Sequence, residues 1–212
     1  MVGEIKSSET SRPCRQLVHV VEDDEQFRLS LLDLFQSLKM EAEAFEDAAA
    51  FFAKTSSNAA GCVLLDVRLP GLSGIEFQKA IEGKGYGLPI VFMTAHGDVA
   101  TSVSAMKAGA IDFLQKPLRT YELLDAIKSA FARDSEAQAK RAYRHAVRDR
   151  ADKLTPRETQ VLDLVAQGLM NKQIAYELGI SEIMVKLHRG SVMRKMEAPS
   201  LAELVRQHEL LQ

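Results

Sequence analysis

Gly61-Cys62-Val63-Leu64-Leu65-Asp66 is the stretch that decides the fold. The run is short, bounded by glycine and rich in aliphatic side chains, so it reads as a strand buried on both faces. Asp66 stands at its C-terminal lip, where open α/β sheets gather their ligands. Three other segments bring groups to the same lip. Leu17-Val18-His19-Val20-Val21 runs into Glu22-Asp23-Asp24, Pro89-Ile90-Val91-Phe92-Met93 ends at Thr94, and Ile111-Asp112-Phe113-Leu114-Gln115 ends at Lys116-Pro117. Clustered acids, a hydroxyl and a lysine at consecutive strand ends describe a metal-assisted phosphoryl acceptor.

Between these strands the apolar spacing turns helical. Phe27, Leu31, Leu34, Phe35 and Leu38 recur at helical intervals within Gln26 to Met40. Glu41 to Phe45 reads as a weak strand and Asp47 to Lys54 as a short helix. Pro70, Gly71 and Gly74 make a loop after Asp66, and Ile75 to Glu82, Val99 to Ala108 and Tyr121 to Phe131 supply further helices. Five strands each followed by a helix imply a parallel sheet with right-handed crossovers.

The chain has 212 residues, 46% of them apolar, enough for two domains with real cores. No run of eighteen or more apolar residues suggests a membrane span, and Met1 to Gln16 lacks the apolar stretch of a signal peptide. The two cysteines, Cys14 in that tail and Cys62 in a strand, do not suggest a disulfide framework, and a cytoplasmic protein is expected. Net charge is −2 but uneven: residues 1–132 hold 13 basic and 18 acidic side chains, 133–150 hold 6 and 3, and 151–212 hold 8 of each. Bulk charge therefore excludes a generally basic nucleic-acid binder. Locally, Lys186, Arg189, Arg194 and Lys195 meet no acid between Ile183 and Met196.

Strand signals vanish after Leu154. Thr155-Pro156-Arg157-Glu158 is a helix start, with Thr as N-cap, Pro at the first helical position and Glu at the third. A second short helix opens at Asn171 and closes at Gly179; Ser181 caps a third running to about Met196; Leu201 to Leu210 makes a fourth. Two short helices joined by a glycine-containing turn, the second basic, outline a helix-turn-helix. The organisation expected is a flexible tail over 1–15, an α/β domain over 16–132, a charged helical linker over 133–152 and an all-α four-helix domain over 153–212; extension of the last α/β helix, or the start of a weak dimer coil, are the alternatives for the linker.

On these residues the first domain resembles the flavodoxin-like receiver of bacterial two-component response regulators. The resemblance implies that Glu22 and Asp23 are the metal-binding pair beside Asp66, with Asp24 as their neighbour, and that Mg²⁺ is the cofactor. It further implies that Asp66 accepts the phosphoryl group, that Thr94 and Lys116 contact its oxygens, that Phe113 is the aromatic switch, and that Lys116-Pro117 is cis. Arg68 and His96, two residues beyond Asp66 and Thr94, are placed to tune the lifetime of the phosphoryl group. Such a domain assists its own phosphorylation and dephosphorylation but is not otherwise an enzyme.

Residues 154–212 resemble the LuxR-type helix-turn-helix through Leu154-Thr155-Pro156-Arg157-Glu158, Gly168 to Ala175, and Val185-Lys186-Leu187-His188-Arg189. Together the halves look like the FixJ/NarL group of response regulators. On the third helix Val185, His188, Val192 and Met196 share an inner face, and Ile183, Lys186, Leu187, Gly190 and Arg194 the opposite one. The resemblance makes Lys186, Leu187 and position 190 the base readers, while Asn171, Lys172, Arg189 and Lys195 suit phosphates and Arg194 faces the groove. Met184 replaces the usual threonine, and Gly190 removes a side chain from the groove face. The partners implied are double-stranded DNA, a sensor histidine kinase and, on phosphorylation, a second copy of the chain. An aspartyl-phosphate hydrolase is disfavoured: its nucleophile belongs to the first strand and it needs a substrate cap. An adaptor binding protein through its terminal helices is the remaining alternative.

Overall fold

The computed structural model describes residues 16–95, 103 and 105–212. The expectations for the tail, Cys14 and His96 lie outside the described residues, as does half of the helix expected over 99–108, of which residues 103 and 105–107 are helical. The chain divides between Ala137 and Gln138 into two compact units.

The first unit is built on strands β1 (Leu17–Val21), β2 (Glu41–Phe45), β3 (Cys62–Asp66), β4 (Ile90–Thr94) and β5 (Asp112–Gln115), all parallel in the order β2-β1-β3-β4-β5. The order reverses beside β1, which has β2 on one side and β3 on the other, and that is where such sheets bind ligands. Side chains alternate along each strand. Val18, Val20, Cys62, Leu64, Val91 and Met93 meet Leu31, Phe35, Leu123 and Ile127 on one face; Val21, Val63, Leu65, Ile90 and Phe92 meet Phe51, Phe77 and Ile81 on the other. Each fully buried Phe or Leu stabilises by about 2 kcal/mol, so the two cores can support charged groups held out of water at the sheet's rim.

Local sequence explains the helix ends. Helix α1 (Glu25–Ser37) starts where the Asp24 carboxylate accepts the Phe27 N–H at 2.9 Å. It stops short of the expected Met40 because Lys39 turns left-handed, with φ +56°. Asp47 caps α2 (Ala48–Lys54), and a reciprocal Ser73–Glu76 capping box opens α3 (Gly74–Gly83). Beyond β5 the two expected helical segments are one helix, α4 (Thr120–Ala151), with neither Gly nor Pro to interrupt it. Asp134, expected on a solvated linker, is buried and accepts the Gly61 N–H at 2.8 Å. Gly61 has φ +118°, and a Cβ there would lie 1.9 Å from the Leu17 carbonyl oxygen, so glycine is required.

In the second unit α5 (Pro156–Ala166), α6 (Asn171–Leu178), α7 (Glu182–Lys195) and α8 (Leu201–Glu209) enclose a core of Val161, Leu162, Val165, Ile174, Val185, Val192, Met196 and Leu204. The end of α4 adds Val147 to this core. The Thr155–Glu158 capping box forms as predicted, Gly179 closes α6 at φ +63°, and Ser181 caps α7. No described helix is long and apolar enough to cross a membrane.

Candidate functional site

The strand register sets four groups at one rim. Val21 pairs with Leu65, Asp66 with Met93 and Thr94 with Gln115, so the residues leaving β1, β3 and β5 emerge side by side. Glu22, Asp23 and Asp66 each place a carboxylate oxygen within 4.8 Å of the others. Lys116 Nζ lies between two of them, donating to Glu22 Oε2 at 2.6 Å and to Asp66 Oδ2 at 3.1 Å. The Lys116–Pro117 bond is cis, as the resemblance implies, and the Lys116 N–H donates to the Thr94 carbonyl at 2.7 Å.

Burial raises the pKa of Glu22 above the ordinary carboxylate range, although the Lys116 ammonium opposes this. Burial works against the Lys116 charge, but its hydrogen bonds to Glu22 and Asp66 prevail and raise its pKa. The pair is thus a buried acid and a well-held cation beside a third carboxylate. Two groups absent from the expected set brace them. The Phe27 ring lies under Lys116 Nζ, 4.3 Å from its centroid, and Arg28 Nη1 donates to the carbonyls of Glu22 and Asp23 at 2.7 and 3.2 Å. Helical spacing marks Phe27 only as a core residue, which is why sequence reasoning passed over it.

The other expected residues differ in how closely they join this cluster. Thr94 is buried at the end of β4, one residue beyond the partner of Asp66. Phe113 is half-buried on the edge strand β5, its ring 6.1 Å from that of Phe92. Arg68 approaches Asp66 through its backbone, whose N–H donates to Oδ1 at 3.3 Å, while the residue is exposed. Gly74 is the close neighbour of this loop: a Cβ there would meet the Asp66 carbonyl oxygen at 2.8 Å.

In the second unit the outer face of α7 carries Ile183, Lys186, Leu187, Gly190 and Arg194, all exposed, as the helical phase predicts. Val185, Val192 and Met196 are buried and His188 half-buried beside them. Lys172 is exposed at the start of α6, and Asn171 Oδ1 accepts from Arg189 Nη1 at 2.7 Å, linking α6 to α7. Lys195 is engaged internally: Nζ donates to Glu158 Oε2 at 2.6 Å and to the Lys153 carbonyl at 3.0 Å. Burial works against the Glu158 charge, yet hydrogen bonds from Lys195, Ser191 and Thr155 bring its pKa down to about 2. Spacing gave no sign of this pair, because its members are 37 residues apart.

Comparison with known proteins accounts for both units. Residues 18–128 match the response regulator receiver domain, and residues 152–207 match the bacterial regulatory proteins of the luxR family. Nodulation protein W of Bradyrhizobium diazoefficiens is 46% identical over 202 residues, covering 95% of this chain and 89% of that protein. The transcriptional regulatory protein FixJ of Azorhizobium caulinodans is 42% identical over 189 residues, covering 89% and 90%. The solved response regulator StyR superposes with a TM-score of 0.79 at 45% identity, covering 92% of this chain and 98% of that one. A receiver carrying an acidic cluster with its lysine, joined to a helix-turn-helix of the luxR family, places this chain among the response regulators that regulate transcription.

Proposed function

We propose that Asp66 takes a phosphoryl group from a sensor histidine kinase and that this controls DNA binding by the helices beyond residue 153. The observation that carries the reading is Lys116 Nζ bridging Glu22 and Asp66 at 2.6 and 3.1 Å beside Asp23. An Asp66 carboxylate oxygen attacks phosphorus; the new P–O bond forms as the P–N bond to the kinase histidine breaks, and the electron pair returns to the imidazole. The Lys116 ammonium neutralises charge on the transferred oxygens. Three hard carboxylate donors in one cluster suit a small divalent cation, and Glu22, Asp23 and Asp66 would hold Mg²⁺. Bound Mg²⁺ supplies further charge neutralisation at the transferred group. Thr94 and Phe113 convert the new charge into a conformational change, and Arg68 and His96 set its lifetime.

In the second unit Lys186, Leu187, Gly190 and Arg194 face the major groove, and Asn171, Lys172, Arg189 and Lys195 the phosphates. Of these, Lys195 contributes mainly by holding α7 against Glu158. Phosphorylation pairs two chains, which sets two recognition helices one DNA turn apart, in the cytoplasm. Incubation with acetyl phosphate and Mg²⁺, read by intact mass, tests the chemistry. Wild type gains one phosphoryl group and Asp66→Asn gains none; equal gain by both would remove Asp66 from the role. Arg68→Ala and His96→Ala shorten or lengthen the life of that adduct, and unchanged decay in both would end their assignment.

A further inference from the structure

The outer face of the recognition helix exposes two large aliphatic side chains. Ile183 is 71% exposed and Leu187 61% exposed, four residues apart on α7 and therefore one above the other. Seven residues from Ile183 on the same face is Gly190, where an added Cβ would meet nothing within 4 Å. The stripe Ile183-Leu187-Gly190 thus offers two branched aliphatic side chains and then bare backbone. It carries no hydrogen-bonding group of its own for a base edge.

We propose that Ile183, together with Leu187, reads thymine C5-methyl groups, making Ile183 a specificity-determining residue beyond those named above. The inference rests on the DNA-binding reading of the second unit. Three observations select a groove over a protein surface as the occupant. Lys186 lies within the stripe and Arg194 at its end, both exposed, and no acid occurs between Ile183 and Met196. Both Ser181 and Glu182 are at the start of α7, which leaves Ile183 in the first turn of the helix, where recognition helices meet base edges. Gly190 removes the side chain that would hold the helix away from the groove floor. Among base edges in the major groove, only thymine presents an apolar group, and an aliphatic side chain is its complement. The operator half-site should therefore carry thymines at the two steps under these residues, with Lys186 on a neighbouring guanine.

The test compares thymine with uracil, which keeps every hydrogen-bonding atom and lacks only the methyl. Full-length protein with Mg²⁺ and beryllium fluoride is used to enrich a duplex from a randomised library, and each thymine of that duplex is then replaced singly by uracil. Two positions per half-site should weaken binding about fourfold each, the effect of losing one buried methyl-sized group. Ile183→Ala should abolish the uracil effect at one of them and Leu187→Ala at the other, leaving the remaining positions unchanged. Alanine favours the helix more than isoleucine does, so the first variant folds. A duplex that is enriched yet insensitive to uracil, or whose sensitivity survives Ile183→Ala, overturns the inference and leaves the DNA-binding reading standing. Loss of self-association in Ile183→Ala without DNA would also overturn it, by showing that a second copy covers this face. Failure to enrich any duplex overturns the DNA-binding reading itself.

Discussion

Glu158→Gln isolates the charge that joins the first and third helices of the DNA-binding unit. The wild-type carboxylate caps α5 by accepting the Thr155 N–H at 2.7 Å and accepts from Lys195 Nζ at 2.6 Å. Glutamine keeps the cap and loses the ion pair. Burial opposes the charge, but Lys195, Ser191 and Thr155 outweigh it and lower the pKa from 4.5 to about 2. At about 1.4 kcal/mol per tenfold change in acidity, that is a ceiling near 3 kcal/mol. Lys195 is 30% exposed, so water screens the pair, and about 1–2 kcal/mol is the expected loss at neutral pH. The folded pKa is depressed, so the contribution is complete above the ordinary 4.5 and disappears as pH falls toward 2. Differential scanning calorimetry of the full chain should show the helical unit melting about 4–16 °C lower in the variant at pH 7, at 4–8 °C per kcal/mol. The difference should shrink by more than half near pH 3. Equal transitions at pH 7, or a gap that does not change with pH, would refute the argument.

Three further perturbations have signs set by local geometry. Gly61→Ala should cost the receiver more than about 3 kcal/mol in urea unfolding, since φ is +118° and the new Cβ would overlap the Leu17 carbonyl; a normal transition would mean that the backbone between Gly61 and the start of β1 yields easily. Gly190→Ala should stabilise the helical unit by about 1 kcal/mol, because the site is a helix interior with open space around it; a lower melting temperature would contradict that. Lys186→Gln should flatten the slope of log affinity against log salt by about 0.9 per phosphate lost if the lysine touches backbone, and leave the slope unchanged if it reads a base. Measured by fluorescence anisotropy, unaltered affinity would remove Lys186 from the interface.

The sheet was legible because its strands are apolar runs that end in chemistry: Asp66, Thr94 and Lys116 each follow one. Glu41 to Phe45, weak by composition, forms a strand because β1 offers a full parallel register from Leu17↔Glu41 to Val21↔Phe45. Helix starts were read correctly at Thr155 and Ser181, where a capping side chain marks the boundary. Two kinds of feature were not settled. The union of two helices into Thr120–Ala151 was only one of the readings open for the charged segment, since continuity is marked there by nothing more than missing breakers. Contacts between distant residues were invisible: Gly61 with Asp134, Lys116 with Phe27, and Lys195 with Glu158 depend on tertiary packing that no local spacing encodes. For the site itself, sequence order supplied the acids and the lysine, while Phe27 and the Arg28 brace needed coordinates.

The central claim is that chemistry at Asp66 governs assembly, and sedimentation velocity with Mg²⁺, with and without beryllium fluoride, addresses it most directly. Wild type should be a monomer that becomes a dimer only with the mimic, and Asp66→Ala should stay monomeric in both conditions. Dimerisation of Asp66→Ala to the same extent, or a wild type indifferent to the mimic, would contradict the account.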